Sequence, residues 1–340
     1  ASASASASAT AASPPTAFSP VPPNRRRAAS AATFLRDDSS APRALVDPTT
    51  DDGAEEGGPN PSRRSFLSGA AGVAVSSALL GSPAFLAPAS AATLNYGTDK
   101  RTVVVTGSNS GIGFDAASRM AARGHRVVLA CRTLTKAKDA AERVASSVGR
   151  DDLDLIPAEC DLASLDSVRS FVEYAKGSVG EIDALCLNAG LARDTSAKEV
   201  LRTKEGFELT VGTNHFGHFY LANLILPQVK RNTGRIVVTA SGVHDPDSPG
   251  GAQGSKATLG DLSGLANGPY FDMVDGGPFD ADKAYKDSKL CNVFFTRELQ
   301  RRLDLGDTGI KVNCFNPGLI VGTGLFRDQN PLFTKVFDIA

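Results

Sequence analysis

Histidine is scarce in this chain: four in 340 residues, none at ligand-like spacing, so no metal site is legible. Cysteine is equally thin, since Cys131, Cys160, Cys186, Cys291 and Cys314 stand apart without a Cys-x-x-Cys pair. Most lie in apolar runs, which favours buried, reduced thiols. Excess charge is absent as well. The net charge of −1 implies no bulk attraction to nucleic acid or to an acidic membrane. Apart from an Ala-Ser alternation over residues 1–8 there is no internal repeat, and hence no basis for a repeat array.

What is present falls into two unlike parts. Residues 1–60 are rich in Ser, Ala and Pro and carry Arg25, Arg26 and Arg27, a composition suited to a transit peptide rather than a core. The chain opens without methionine, so its start is expected to lie upstream. Residues 61–92 hold Arg63 and Arg64, then an apolar Ala/Gly-rich stretch to Ala87, then Ala89-Ser-Ala91. That order matches a twin-arginine export signal. The stretch also approaches the ~20 residues of a membrane span, but its small residues and the Ala-x-Ala site favour cleavage. Together the segments predict a chloroplast address, with the thylakoid lumen or membrane as destination.

From residue 99 to 340 short β-rich runs alternate with helical stretches, which predicts one α/β domain with a doubly wound parallel sheet. Strands are expected at 102–106, 126–131, 153–158, 184–187, 235–239 and 310–315. Helices are expected near 112–123, 135–147, 165–178, 214–231 and 284–303. Only 22 residues follow Gly318, so the sheet is expected to lack its last strand or the chain to be a fragment. A fragment of that kind would leave a strand edge exposed.

Two motifs carry chemistry. The β-branched run from Thr102 ends in a turn holding Gly107, Asn109, Ser110, Gly111, Ile112 and Gly113. Glycines between strand and helix let the backbone approach a pyrophosphate at the positive helix end, although glycine also simply ends strands. Tyr285 and Lys289 stand four apart, which places them on one face of a helix. A neighbouring ammonium favours the phenolate and brings a phenol that titrates near pH 10 into range for proton transfer. At the end of the second strand Arg132 and Lys136 replace the acid that would bind a 2′-hydroxyl, which favours NADPH. Asp161 reads equally as a helix cap.

The glycine turn and the Tyr/Lys pair together resemble the short-chain dehydrogenase/reductase family over roughly 100–333, and the resemblance implies a Rossmann-type fold. It further implies adenine and ribose contacts from Asp161, Leu162, Asn188, Ala189 and Gly190, with Pro317 and Gly318 closing the cofactor site. Asn214 falls where the family steadies the lysine through water, and Ser241 where it orients substrate, though either reads as an ordinary cap or turn residue. His215 and His218 read as packing residues. Tyr285 would donate a proton, Lys289 would lower its pKa and bind the ribose, and NADPH would deliver hydride.

The 43 residues at 242–284 exceed what a strand-to-helix connection needs and predict a lid over a bulky ligand. The segments 206–215, 259–262, 274–280, 284–292 and 323–327 resemble the light-dependent protochlorophyllide oxidoreductase branch. That branch reduces the C17=C18 bond of its tetrapyrrole with NADPH and light. Two positions depart from it: Leu319 stands where the branch has cysteine, and Leu191-Ala192 where it leads to an aromatic residue. The run 290–299 also resembles retinol-dehydrogenase-type reductases, which leaves open a lipophilic plastid carbonyl as substrate. A non-catalytic NADPH sensor or pigment carrier is the reading from another class. The sequence gives no oligomeric state.

Overall fold

Alternating valines organise the centre of the molecule. In β1 (Thr102–Thr106), Val103 and Val105 point into one apolar layer and Val104 into the other, the period of two that a strand buried on both faces requires. The computed structural model describes residues 99–318 together with Ile320 and Leu325. All of them fall within one compact unit. The predicted segments 1–60 and 61–92 and the departure at Leu319 lie outside the described residues.

Five further strands complete a parallel sheet: β2 (Arg126–Cys131), β3 (Leu155–Glu159), β4 (Ala184–Leu187), β5 (Arg235–Thr239) and β6 (Lys311–Phe315). Their order is β3-β2-β1-β4-β5-β6, every pairing parallel. The chain reverses direction of travel between β1 and β4, which opens a crevice at their carboxyl ends. This is a Rossmann-type, doubly wound fold.

On one face, α1 (Gly111–Ala122) and α2 (Leu134–Val148) press Ala117, Ala121, Ala137, Ala140 and Val144 against the sheet. Small residues there let the helices lie close. The other face takes Phe171 and Val172 of α3 (Leu165–Ser178), Leu221 and Ile225 of α4 (Gly217–Ile225), and Phe295, Leu299 and Leu303 of α5 (Ala281–Leu305). Thr133, Ser164 and Asp280 cap α2, α3 and α5 by accepting from Lys136 N, Ser167 N and Lys283 N. Ahead of α4, a single turn (Leu209–Val211) leads into a wide π turn (Gly212–Phe216), in which Gly217 N reaches back to Gly212 O.

The long insert builds a small core of its own and is fastened to α5. Phe271 and Val274 are buried with Val211, and Phe207, Phe216 and Leu259 pack around them as a small core of their own. Phe207 stacks on Phe216 with ring centroids 4.8 Å apart. Polar anchors then fasten the insert to the first turns of α5. The Lys283 ammonium meets Thr258 O at 2.6 Å, Asp287 Oδ2 at 2.5 Å and Asp275 Oδ2 at 2.9 Å. Lys286 meets Gln253 O, Ser255 O at 2.8 Å and Asp282 Oδ2 at 2.9 Å. Each lysine thus meets three oxygens of the insert and of α5. With its apolar and polar groups spent in this way, none of residues 242–280 borders the crevice.

Candidate active site

The crevice is a cleft of about 1090 Å³, counted to its open mouth. Its floor is the turn between β1 and α1, from which Gly107, Asn109, Ser110, Gly111 and Ile112 line it. Gly107 has φ 67°, and a Cβ there would stand 2.9 Å from Ala189 Cα. Gly113 lies beneath the turn, where a Cβ would strike Gly107 O and Asn188 Nδ2. Only glycine lets these two turns touch. Ser110 is extended and its side chain makes no capping bond, so the start of α1 faces the cleft with its backbone N–H groups.

The other predicted cofactor residues converge on the same space. Arg132 and Lys136 line it from the end of β2 and the first turn of α2, Asp161 and Leu162 from beyond β3, and Asn188, Ala189 and Gly190 from beyond β4. Asp161 also accepts from Ala163 N at 3.0 Å, closing a turn ahead of α3, but the helix cap is Ser164, so the reading of Asp161 as a cap does not hold. An acid that the reading of β2 missed, Glu159, reaches across from β3 to accept from Leu134 N at 3.1 Å. Pro317 lines the cleft, whereas Gly318, at φ 77°, does not.

Tyr285 and Lys289 enter from the second and third turns of α5, on one face as their spacing requires. Ser241, two residues past β5, does not line the cleft; its Oγ accepts from Val243 N at 3.5 Å, and it stands close enough to Tyr285 to act on the phenol. The expected charge effect differs in sign from what the structure gives. Burial pushes the Tyr285 phenol up to about 12, and Ser241 is the group that lowers it. The Lys289 ammonium sits 5.5 Å from the Tyr285 ring centroid and donates to Thr239 O at 3.2 Å. Burial brings Lys289 down to about 8. Within the protein alone, desolvation therefore sets the direction of the phenol's shift.

Asn214, carried by the π turn, does not line the cleft, and both of its amide hydrogens are engaged. Its Oδ1 accepts from Leu191 N at 2.8 Å, and its Nδ2 donates to Leu191 O at 2.9 Å and Ser288 Oγ at 3.0 Å. Ser288 Oγ in turn donates to Tyr285 O at 2.6 Å. Asn214 thus ties the 188–191 turn to the catalytic helix by direct bonds.

Cys160, Leu191, Thr213, Thr239, Ala240 and Leu325 also line the cleft. Leu191, Thr213 and Ala240 are chain neighbours of predicted residues, and that adjacency was the available signal. Cys160 is likewise next to Asp161, but it had been read only as a buried thiol; burial drives that thiol's pKa far up.

The short chain dehydrogenase model matches residues 101–261. A chloroplastic protochlorophyllide reductase of Cucumis sativus is 43% identical over 245 residues, covering 70% of this chain and 60% of that protein. The chain therefore spans about 60% of the length of this relative. A protochlorophyllide reductase of Avena sativa is 42% identical over 244 residues, covering 69% of this chain and 76% of that one. The crystal structure of an uncharacterized protein from Mycobacterium paratuberculosis superposes with a TM-score of 0.52 at 33% identity, covering 67% of this chain and 72% of that chain.

Proposed function

Because the chain belongs to the short chain dehydrogenase family, we propose that it is an NADPH-dependent oxidoreductase of the protochlorophyllide reductase type. The observation that carries this reading is the convergence of Tyr285, Lys289, Arg132 and the glycine turn on one cleft. The fit to a dinucleotide rests on the same geometry. Glycines at 107 and 113 leave room where any side chain would collide, and the start of α1 offers N–H groups to a pyrophosphate. Arg132 and Lys136 would hold a 2′-phosphate as cations with no acid of β2 beside them. The nicotinamide, when bound, supplies hydride.

The chain's own residues supply the rest. Tyr285 starts protonated in the protein alone, the state from which a general acid acts, and Ser241 stands beside it as the group that lowers its pKa. Lys289, inside the cleft at 3% exposure, is placed to bind a ribose and to stabilise negative charge left on Tyr285. Chloroplastic relatives favour a plastid location and a tetrapyrrole substrate with a reducible C=C bond. Among the described residues no helix is long and apolar enough to cross a membrane.

The test is to mix the full chain with NADPH and protochlorophyllide in darkness, then flash. A chlorophyllide absorption band that appears only after the flash is expected. Its absence, with NADPH oxidised in darkness by retinal-like or isoprenoid carbonyls, would move the substrate to that class. Tyr285→Phe is expected to lower turnover by about 10²- to 10⁴-fold while NADPH binding persists. NADPH binding with no turnover of any of these substrates, and none changed by Tyr285→Phe, would leave a non-catalytic NADPH binder.

A further inference from the structure

His218 is buried at 2% exposure on α4, and both of its ring nitrogens are engaged. Nδ1 lies 3.0 Å from Asn214 O, and Nε2 lies 2.9 Å from Thr106 Oγ1. A carbonyl oxygen only accepts, so Nδ1 carries the proton and Nε2 must accept. Thr106 Oγ1 therefore gives its hydrogen to the ring. The same oxygen receives Asn188 N at 2.8 Å and Ala189 N at 3.0 Å, which uses its full capacity of one donor and two acceptors. Cys186 O also lies 3.3 Å from this hydroxyl, but giving it the hydrogen would set the lone pairs of Oγ1 and Nε2 against each other.

The bonds close on themselves. From the 188–189 backbone they run through Thr106 to His218, then to the backbone of Asn214, and from the Asn214 side chain back to Leu191. We propose that His218 is a positioning residue that, as a fixed neutral tautomer, locks the 188–191 turn to the π turn carrying Asn214. It acts through Thr106 and Asn214 and touches neither cofactor nor substrate. The packing role expected from sequence is therefore incomplete. Desolvation holds the ring neutral, with Lys289 and His215 the nearby groups that add to this, so the bond pattern does not change over the neutral pH range. The functional consequence rests on the reading of this cleft as an NADPH site, whereas the bond circuit does not.

The first measurement needs no substitution. Nitrogen-15 shifts of His218 in the full chain without cofactor should report a neutral ring protonated at Nδ1, and protonation at Nε2 overturns the proposal. The second uses Thr106→Val, which keeps shape and removes the hydroxyl, Thr106→Ser, which keeps the hydroxyl, and His218→Asn. Amide exchange at Ala189 and Leu191 should rise about tenfold in Thr106→Val and in His218→Asn, and stay near wild type in Thr106→Ser. The double variant Thr106→Val/His218→Asn should be no worse than the worse single, because both cut one circuit. Multiplying losses, or unchanged exchange at Ala189 in His218→Asn, overturns it. NADPH affinity measured by nicotinamide fluorescence should weaken in parallel. A wild-type chain that binds no NADPH would sink the functional reading while leaving the exchange result to judge the circuit.

Discussion

Lys289 shows at the residue scale how a reactive site works against the stability of its own fold. Its ammonium is buried, donating to Thr239 O at 3.2 Å, and burial brings its pKa from 10.5 down to about 8. A folded-state pKa below the unfolded one means that stability is lost as pH drops from 10.5 toward 8, so the cost is fully present at neutral pH. Lys289→Met should therefore stabilise the cofactor-free protein on the order of 2 kcal/mol, raising Tm by several degrees, while turnover is lost. A scan showing Tm lowered by the substitution would contradict this account. The spacing of Tyr285 and Lys289 was legible in the sequence because helical periodicity alone places them together. The direction of the Tyr285 shift was not, because it depends on how deeply the second turn of α5 is packed. Nor was Asn214's bonding to Leu191, which needs a backbone 23 positions away to fold against it.

Among the elements, the insert and α5 form the unit that sequence reading left open. Most strands and helices fall within two or three residues of their expected bounds because buried valines and caps mark them locally; β3, read as 153–158, is shifted to Leu155–Glu159, and the helix read as 214–231 is regular only over Gly217–Ile225. The insert carries no such period, and its Gly, Pro and Asp content reads equally as a lid or as a tether. What decides its place is the pairing of Lys283 and Lys286 with groups up to 33 residues away. Asp287 is fully buried, and burial raises its pKa against the opposing pull of Lys283. Lys283→Met strands that carboxylate and should cost about 3 kcal/mol. Limited proteolysis should then nick the 253–275 region before the sheet melts. Equal protease resistance of variant and wild type would show that the apolar cluster alone holds the insert.

Over the whole molecule, acid should act through two histidines that the fold keeps neutral. His215 and His218 are both held at about 4, against 6.5 when exposed, chiefly by burial. The unfolded chain then binds more protons than the folded one between these values, so stability is full above pH 6.5 and falls as pH drops toward 4. The combined loss should be on the order of a few kcal/mol, read as a lower denaturant midpoint at pH 4.5 than at pH 7. A midpoint that does not move would mean the rings are solvated. The doubly wound architecture itself was legible, since six β-rich runs separated by helical stretches permit few other arrangements.

The π turn at Gly212–Phe216 has a consequence for how the chain tolerates changes in length. A wide turn holds one residue more than an α-helical turn spanning the same gap. Deleting a single residue there would let the helix close up as regular α and turn everything on one side by about 100° relative to the other. His218 and Asn214 would no longer face Thr106 and Leu191 together, although every strand would remain. Loss of one residue in this stretch is thus a frameshift in three dimensions, leaving a folded sheet with its chemistry out of phase.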